Sequence, residues 1–156
     1  MQPKEILFSA HSLAVVVVTA IIVLLCVLLH YESFALFQRV LSRLNIKVKR
    51  RRILFLMYGL LTLHVAEVWL FGLGYYVLVG GVLGGSGDSR LAGWQGGGLL
   101  EFVYFSAVVY TTLGLGDLVP HGAIRFMTGT EALSGFLLIT WSASFTFLEM
   151  ERLWKQ

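Results

Sequence analysis

From Leu13 to Leu29 the chain reads LAVVVVTAIIVLLCVLL, seventeen residues with no charge and a single hydroxyl group. A run of this kind needs an apolar surrounding along its whole length, and it is long enough to cross a bilayer as a helix. The chain offers little else to bury it. Of its 156 residues, 57% are hydrophobic and 13% charged, more apolar surface than one small soluble core can hide. Further apolar runs extend from Ile53 to about Val79 and from about Ala123 to Leu148, so lipid is the solvent that fits. A cleaved leader is the rival for the first run. The start, MQPKE, is hardly basic and no small-residue cleavage site follows the run, so an uncleaved span is expected.

The net charge of +3 matters less than its placement. Seven of the twelve basic residues, Arg39, Arg43, Lys47, Lys49, Arg50, Arg51 and Arg52, fall between the first two runs. Such a block marks a cytoplasmic loop rather than a nucleic-acid surface. It orients a multi-pass protein of the cell membrane, of prokaryotic plasma or inner-membrane type, with its N-terminus outside and its C-terminus cytoplasmic. Residues 31 to 52 also turn amphipathic, with Phe34, Phe37, Leu41 and Leu44 at three- and four-residue steps. The expectation is a helix lying in the inner interface, its basic face from Arg39 to Arg52 on anionic lipid. Arg39, Arg43 and Lys47 repeat every fourth residue as in a voltage sensor, but Glu32, Gln38 and Asn45 share the stretch and no twenty apolar residues accompany them. Cys26 is the only cysteine. It cannot form a disulfide within the chain, and no Cys/His spacing indicates a metal.

A glycine-dense connection from Gly80 to Gly98 lacks the Lys-Ser/Thr of a phosphate loop and reads as a flexible surface link. Then LLEFVYFSAVVY, Leu99 to Tyr110, has a helical pattern. Twelve residues make only about 18 Å of helix, too little to cross. Glu101 in its first turn suits the positive end of the helix dipole. A helix that stops halfway through a membrane must continue into a segment whose backbone is satisfied by protein, water or ions. That continuation is Thr111-Thr112-Leu113-Gly114-Leu115-Gly116-Asp117-Leu118-Val119-Pro120. Alternating glycines take backbone angles other residues avoid, and successive carbonyls can then face one side. Four such strands around an axis would stack rings of oxygens in place of a cation's water shell.

The Thr-Thr-Leu-Gly-Leu-Gly-Asp-Leu-Val-Pro segment resembles the signature of the pore-loop potassium channel superfamily, whose commonest form is Thr-Val-Gly-Tyr-Gly-Asp. The resemblance covers roughly Ile53 to Leu148, as outer helix, pore helix, filter and inner helix. It implies a selectivity filter of Thr112, Leu113, Gly114, Leu115 and Gly116, with potassium at its carbonyls, and Asp117 at the outer mouth. Tyr104 and Phe105 are similar to the aromatic pair of the pore helix, one of which bonds to that aspartate in relatives; Phe105 has no donor with which to do so. Leu115 departs from the usual Tyr or Phe, and this bears on the stiffness of the filter rather than on its ligands. A Gly-Leu-Gly filter also occurs in one pore loop of some two-pore-domain potassium channels. Those carry two filters per chain and dimerise, whereas one filter per chain implies a homotetramer.

His64, Glu67 and Glu131 lie inside apolar runs, where charge is costly. At 1.5 Å per residue they sit roughly 13, 9 and 12 Å below the outer boundary of a core about 30 Å thick. That is filter depth. The expectation is a buried polar cluster joining the helices behind the filter; a proton sensor is the sharper alternative. No His-Glu-x-x-His is present, which removes a metalloprotease. Gly135 is placed where inner helices of the resembled channels hinge, or it permits close packing. Ser142, Ser144 and Thr146 line a cavity or bond back to their own helix.

The whole reads as an all-α membrane protein with three transmembrane helices and one re-entrant pore helix with its filter loop, forming a tetrameric pore. The parts are 1–30, a transmembrane helix; 31–52, a basic amphipathic linker; 53–148, the pore domain; and 149–156, a cytoplasmic tail. The expected function is passive potassium conduction, with no enzyme activity and no cofactor beyond the permeant ion. A weakly selective cation channel, pH-modulated or not, and a non-conducting pore-like subunit are the alternatives.

Overall fold

In hydrocarbon a backbone has to satisfy its own hydrogen bonds, so the apolar runs become helices. The computed structural model describes residues 10–43, 49–80 and 89–155. The start MQPKE, Leu44, Asn45 and Lys47 of the basic stretch, and the 81–88 part of the glycine-dense link lie outside the described residues. Helix α1 is Ala10–Arg43 and α2 is Lys49–Tyr75, the latter closing in a π-helical turn, Tyr76–Gly80. The short α3 is Leu99–Tyr110 and α4 is Ile124–Trp154. Among the described residues, α1, α2 with its turn, and α4 are long and apolar enough to cross a membrane; α3 is not.

The first helix does not end near residue 30, where the sequence reading starts an interfacial helix. It runs 34 residues without a break, about 51 Å at helical rise. The physical reason is its apolar stripe. Phe34, Phe37 and Leu41 are buried against Leu56, Leu60, Leu63 and Phe145, so the amphipathic part packs on α2 and α4 of its own chain instead of on lipid. Phe34 stacks on Phe145 with ring centroids 4.3 Å apart. Similarly α4 continues past Leu148 to Trp154, drawing the first part of the expected tail into the bundle. Glu149 is buried there and faces Arg52 at 3.7 Å.

At the opposite end of the bundle, His11 of α1 bonds to Ser89 at 2.7 Å. Next to Ser89 the expected link contains a strand. β1, Arg90–Ala92, pairs antiparallel with β2, Val119–His121, in the register Arg90↔His121, Leu91↔Pro120, Ala92↔Val119. A two-stranded ribbon leaves each strand one free edge, which is where Pro120, lacking an N–H, is tolerated. The ribbon fastens the chain just before α3 to the chain just after residue 118. The short helix and its continuation are thereby a loop held at its neck.

The core gathers around this loop. Phe71, Tyr75 and Leu78 of α2, Phe102, Phe105 and Tyr110 of α3, Ile124 and Met127 of α4, and Val15, Ile22 and Cys26 of α1 form one buried cluster. Every long helix contributes to it. The short helix is its centre.

Candidate functional site

Helix α3 has the bounds the sequence pattern gives it, and the chain leaves it by a sharp reversal. Leu113 and Gly114 both direct their N–H groups to the Val108 carbonyl, at 2.9 and 3.3 Å, and Thr112 bonds to Val109 at 2.9 Å. Beyond that turn the backbone alternates in hand. Thr112, Gly114 and Gly116 have φ of 58°, 60° and 81°, while Leu113 and Leu115 between them do not take positive φ. Glycine adopts such angles freely; threonine does so at a cost, and such strain concentrates at functional sites. Alternation of hand turns each carbonyl back toward the side of the one before it. Residues 111–117 are exposed in the isolated chain, Leu113 at 63% and Leu115 at 59%. At membrane depth lipid can cover leucine side chains, but exposed non-helical backbone calls for further protein, water or ions to satisfy it.

Asp117 follows directly. Its carboxylate accepts a 2.7 Å hydrogen bond from the Tyr104 hydroxyl. The donor that Phe105 lacks is therefore supplied one position earlier, and Phe105 instead turns inward, edge-on to Tyr75 at 4.9 Å. The two aromatic positions have divided their work, one bracing the segment and one filling the core.

Behind the segment, the structure resolves the expected single cluster of ionisable groups into two. Glu131 of α4 accepts from Tyr75 of α2 at 2.6 Å and from Ser106 of α3. Glu67 of α2 accepts from Tyr110, the last residue of α3, and pairs with His64 at 3.0 Å and with His30 of α1 at 2.8 Å. Each carboxylate is fully buried and joins three groups or helices without bonding to the other. One turn of α3 separates the two: Ser106 and Tyr110 are four apart on one face, and each meets a different carboxylate. Both sets meet the requirement that buried charge be hydrogen-bonded.

Sequence reasoning missed His30. It stands at the end of an apolar run, where a histidine reads as an interface residue. The stripe 34, 37, 41 extended back one turn reaches position 30, and that extension would have placed it on the buried face. On its far side, His30 Nε2 lies 3.3 Å from the Ser142 hydroxyl of α4. Ser144 bonds back to Thr140 of its own helix at 3.0 Å.

Gly135 has a direct steric reason. A Cβ there would collide with the backbone carbonyl of Tyr110 and lie 2.9 Å from its carbon, so α4 meets the end of α3 backbone to backbone. Close approach is a sufficient packing reason for a glycine here. We expect Gly135→Ala to lower stability by about 1–3 kcal/mol through overpacking, seen as a lower thermal midpoint of the detergent-solubilised protein. An unchanged midpoint would mean that the two helices can separate freely.

A family model described as "Ion channel" matches residues 63–152, somewhat over half of the chain and including α3, the 112–116 segment and nearly all of α4. Neither the curated proteins nor the solved structures gave a match.

Proposed function

This chain belongs to the ion channel family, and we propose that four copies surround one axis and conduct potassium passively through the carbonyls of Thr112, Leu113, Gly114, Leu115 and Gly116. It is a membrane-embedded channel protein, not an enzyme. The observation that carries the potassium reading is the alternating backbone: positive φ at 112, 114 and 116, immediately after a helix too short to cross. That helix would present its negative end to the axis, which favours a cation. Carbonyls held in rings replace the hydration shell of a monovalent ion. The exposed leucines at 113 and 115 are the surfaces a tetramer would cover, with each Leu115 packing outward from the axis.

The same reading orients the protein. The basic stretch Arg39 to Arg52 faces the cytoplasm and anionic lipid, the β-ribbon lies outside, and the loop enters from the outer side. The test is ion substitution in planar bilayers containing the purified chain alone. A reversal potential that follows potassium and not sodium supports the proposal. Equal permeability supports the weakly selective alternative, to which Leu115 in place of an aromatic lends weight, and absence of current supports a non-conducting subunit.

Tyr104 is assigned to bracing the outer mouth through Asp117. Tyr104→Phe removes the donor while keeping the ring. We expect several-fold faster loss of current during sustained recording with little change in the amount of assembled protein; an unchanged time course would show the bond to be incidental.

A further inference from the structure

We propose that His30, His64 and Glu67 form a site for a divalent transition-metal ion of the Zn2+ or Co2+ type, joining α1 to α2 beside the last residue of α3. One donor atom from each of the three residues lies within 4.8 Å of the other two. His30 Nδ1 is 2.8 Å from one oxygen of Glu67 and His64 Nδ1 is 3.0 Å from the other. The ligand-to-ligand edge of a tetrahedral zinc site with bonds of 2.0–2.1 Å is about 3.3 Å, so an ion would open the two His–Glu contacts by a few tenths of an ångström and draw the widest donor pair, which lies within 4.8 Å, inward toward that edge. Two imidazoles and one carboxylate are a donor set that zinc takes and that potassium, magnesium or calcium does not favour.

Two surrounding features point the same way. Metal-binding histidines hold their second ring nitrogen against a polar neighbour, which fixes the ring. His30 has this arrangement, with Nε2 turned to Ser142 Oγ. The Tyr110 hydroxyl, 3.0 Å from His64 Nδ1 and also on Glu67, is placed either as a fourth ligand or as a donor to the coordinated carboxylate. Proton balance is simple. In the metal-free network each imidazole donates from Nδ1. In the loaded site each moves that proton to Nε2 and offers the Nδ1 lone pair, so none need leave, and Ser142 accepts the new N–H of His30.

Access comes through His64, whose side chain is 20% exposed whereas those of the other two are fully buried. His64 and Tyr110 open on a groove of about 440 Å³ that also reaches Thr111, Val68 and Ile139. Sequence spacing gave no sign of the site, because its ligands come from two helices and His30 was not singled out.

Binding can be read apart from conduction, so the test uses the purified chain in detergent. Titration with Co2+ is expected to give the visible d–d bands of a four- or five-coordinate nitrogen–oxygen site at one equivalent per chain, discharged by Zn2+. Zn2+ is expected to raise the thermal midpoint. The double variant His11→Ala/His121→Ala, which removes the two remaining histidines, keeps both effects. His30→Ala, Glu67→Gln and His64→Ala each lose at least tenfold in affinity; His64→Ala, at the half-open position, is the variant least dependent on folding. No bands in the wild type, bands that survive in His64→Ala, or bands lost from the His11/His121 variant would each overturn the proposal.

Discussion

Replacing Gly114 with alanine is expected to abolish the proposed potassium conduction while leaving the chain folded and inserted. Gly114 has φ of 60°, and a Cβ built on it meets nothing within 4 Å in its own chain, so the damage is not a clash inside the protomer. It is conformational. An L-residue held at left-handed angles costs about 1–2 kcal/mol. Four copies around one axis would carry about 4–8 kcal/mol in the space of one ion site. The cheaper outcome is for the peptide to turn over, which takes its carbonyl away from the axis and breaks a ring of ligands. Leu113 and Leu115, without positive φ, tolerate substitution by other apolar residues far better. The check pairs flux from reconstituted vesicles with the oligomer seen by cross-linking. Normal flux in Gly114→Ala would mean that the backbone at this position is not a ligand surface.

The second large effect is on stability. Glu67→Ala removes the common acceptor of His30, His64 and Tyr110, three side chains on three helices. Breaking a buried ionic or charge-assisted network by deleting one partner costs about 3–5 kcal/mol. Gln in the same place keeps the volume but replaces one acceptor oxygen with a donor facing other donors, so it is expected to recover only part of the loss. Because the network ends on Tyr110, the residue where α3 stops, the damage should also reach the 112–116 segment. Thermal unfolding of the solubilised protein measures the first effect, and the current remaining at temperatures below the new midpoint measures the second. A midpoint within a degree or so of the wild type would show that the carboxylate is idle.

These two positions also show what the amino-acid order discloses. Gly114 was legible because the signal is local: twelve residues of helical pattern, then glycines at alternate places, and nothing distant is required to read it. The bounds of α3 follow for the same reason. Glu67 was legible as a charge in the wrong solvent beside His64, while its other partners, His30 and Tyr110, come from elsewhere in the chain. His30 was hidden because a polar residue closing an apolar run has two meanings, interface or buried ligand, and only the packing of α1 along α2 and α4 selects between them. The length of α1 was misjudged on the same ground. An amphipathic stripe says that one side will be covered, not whether lipid or protein covers it. The β-ribbon escaped because three-residue strands in glycine-rich sequence carry no period, and their pairing closes across the whole of α3. Glu131 was read into one cluster with Glu67, whereas it bonds to Tyr75 and Ser106 instead, as depth along a helix does not give its rotation.

The central claim is that main-chain oxygens between Thr112 and Gly116 hold dehydrated monovalent ions on an axis shared by four chains. Anomalous diffraction from crystals grown in Rb+ or Tl+ tests it most directly. The account predicts a row of peaks on a fourfold axis, each ringed by carbonyls of this segment from four copies. Peaks absent from any symmetry axis, with Gly114 and Gly116 turned toward lipid, would contradict it.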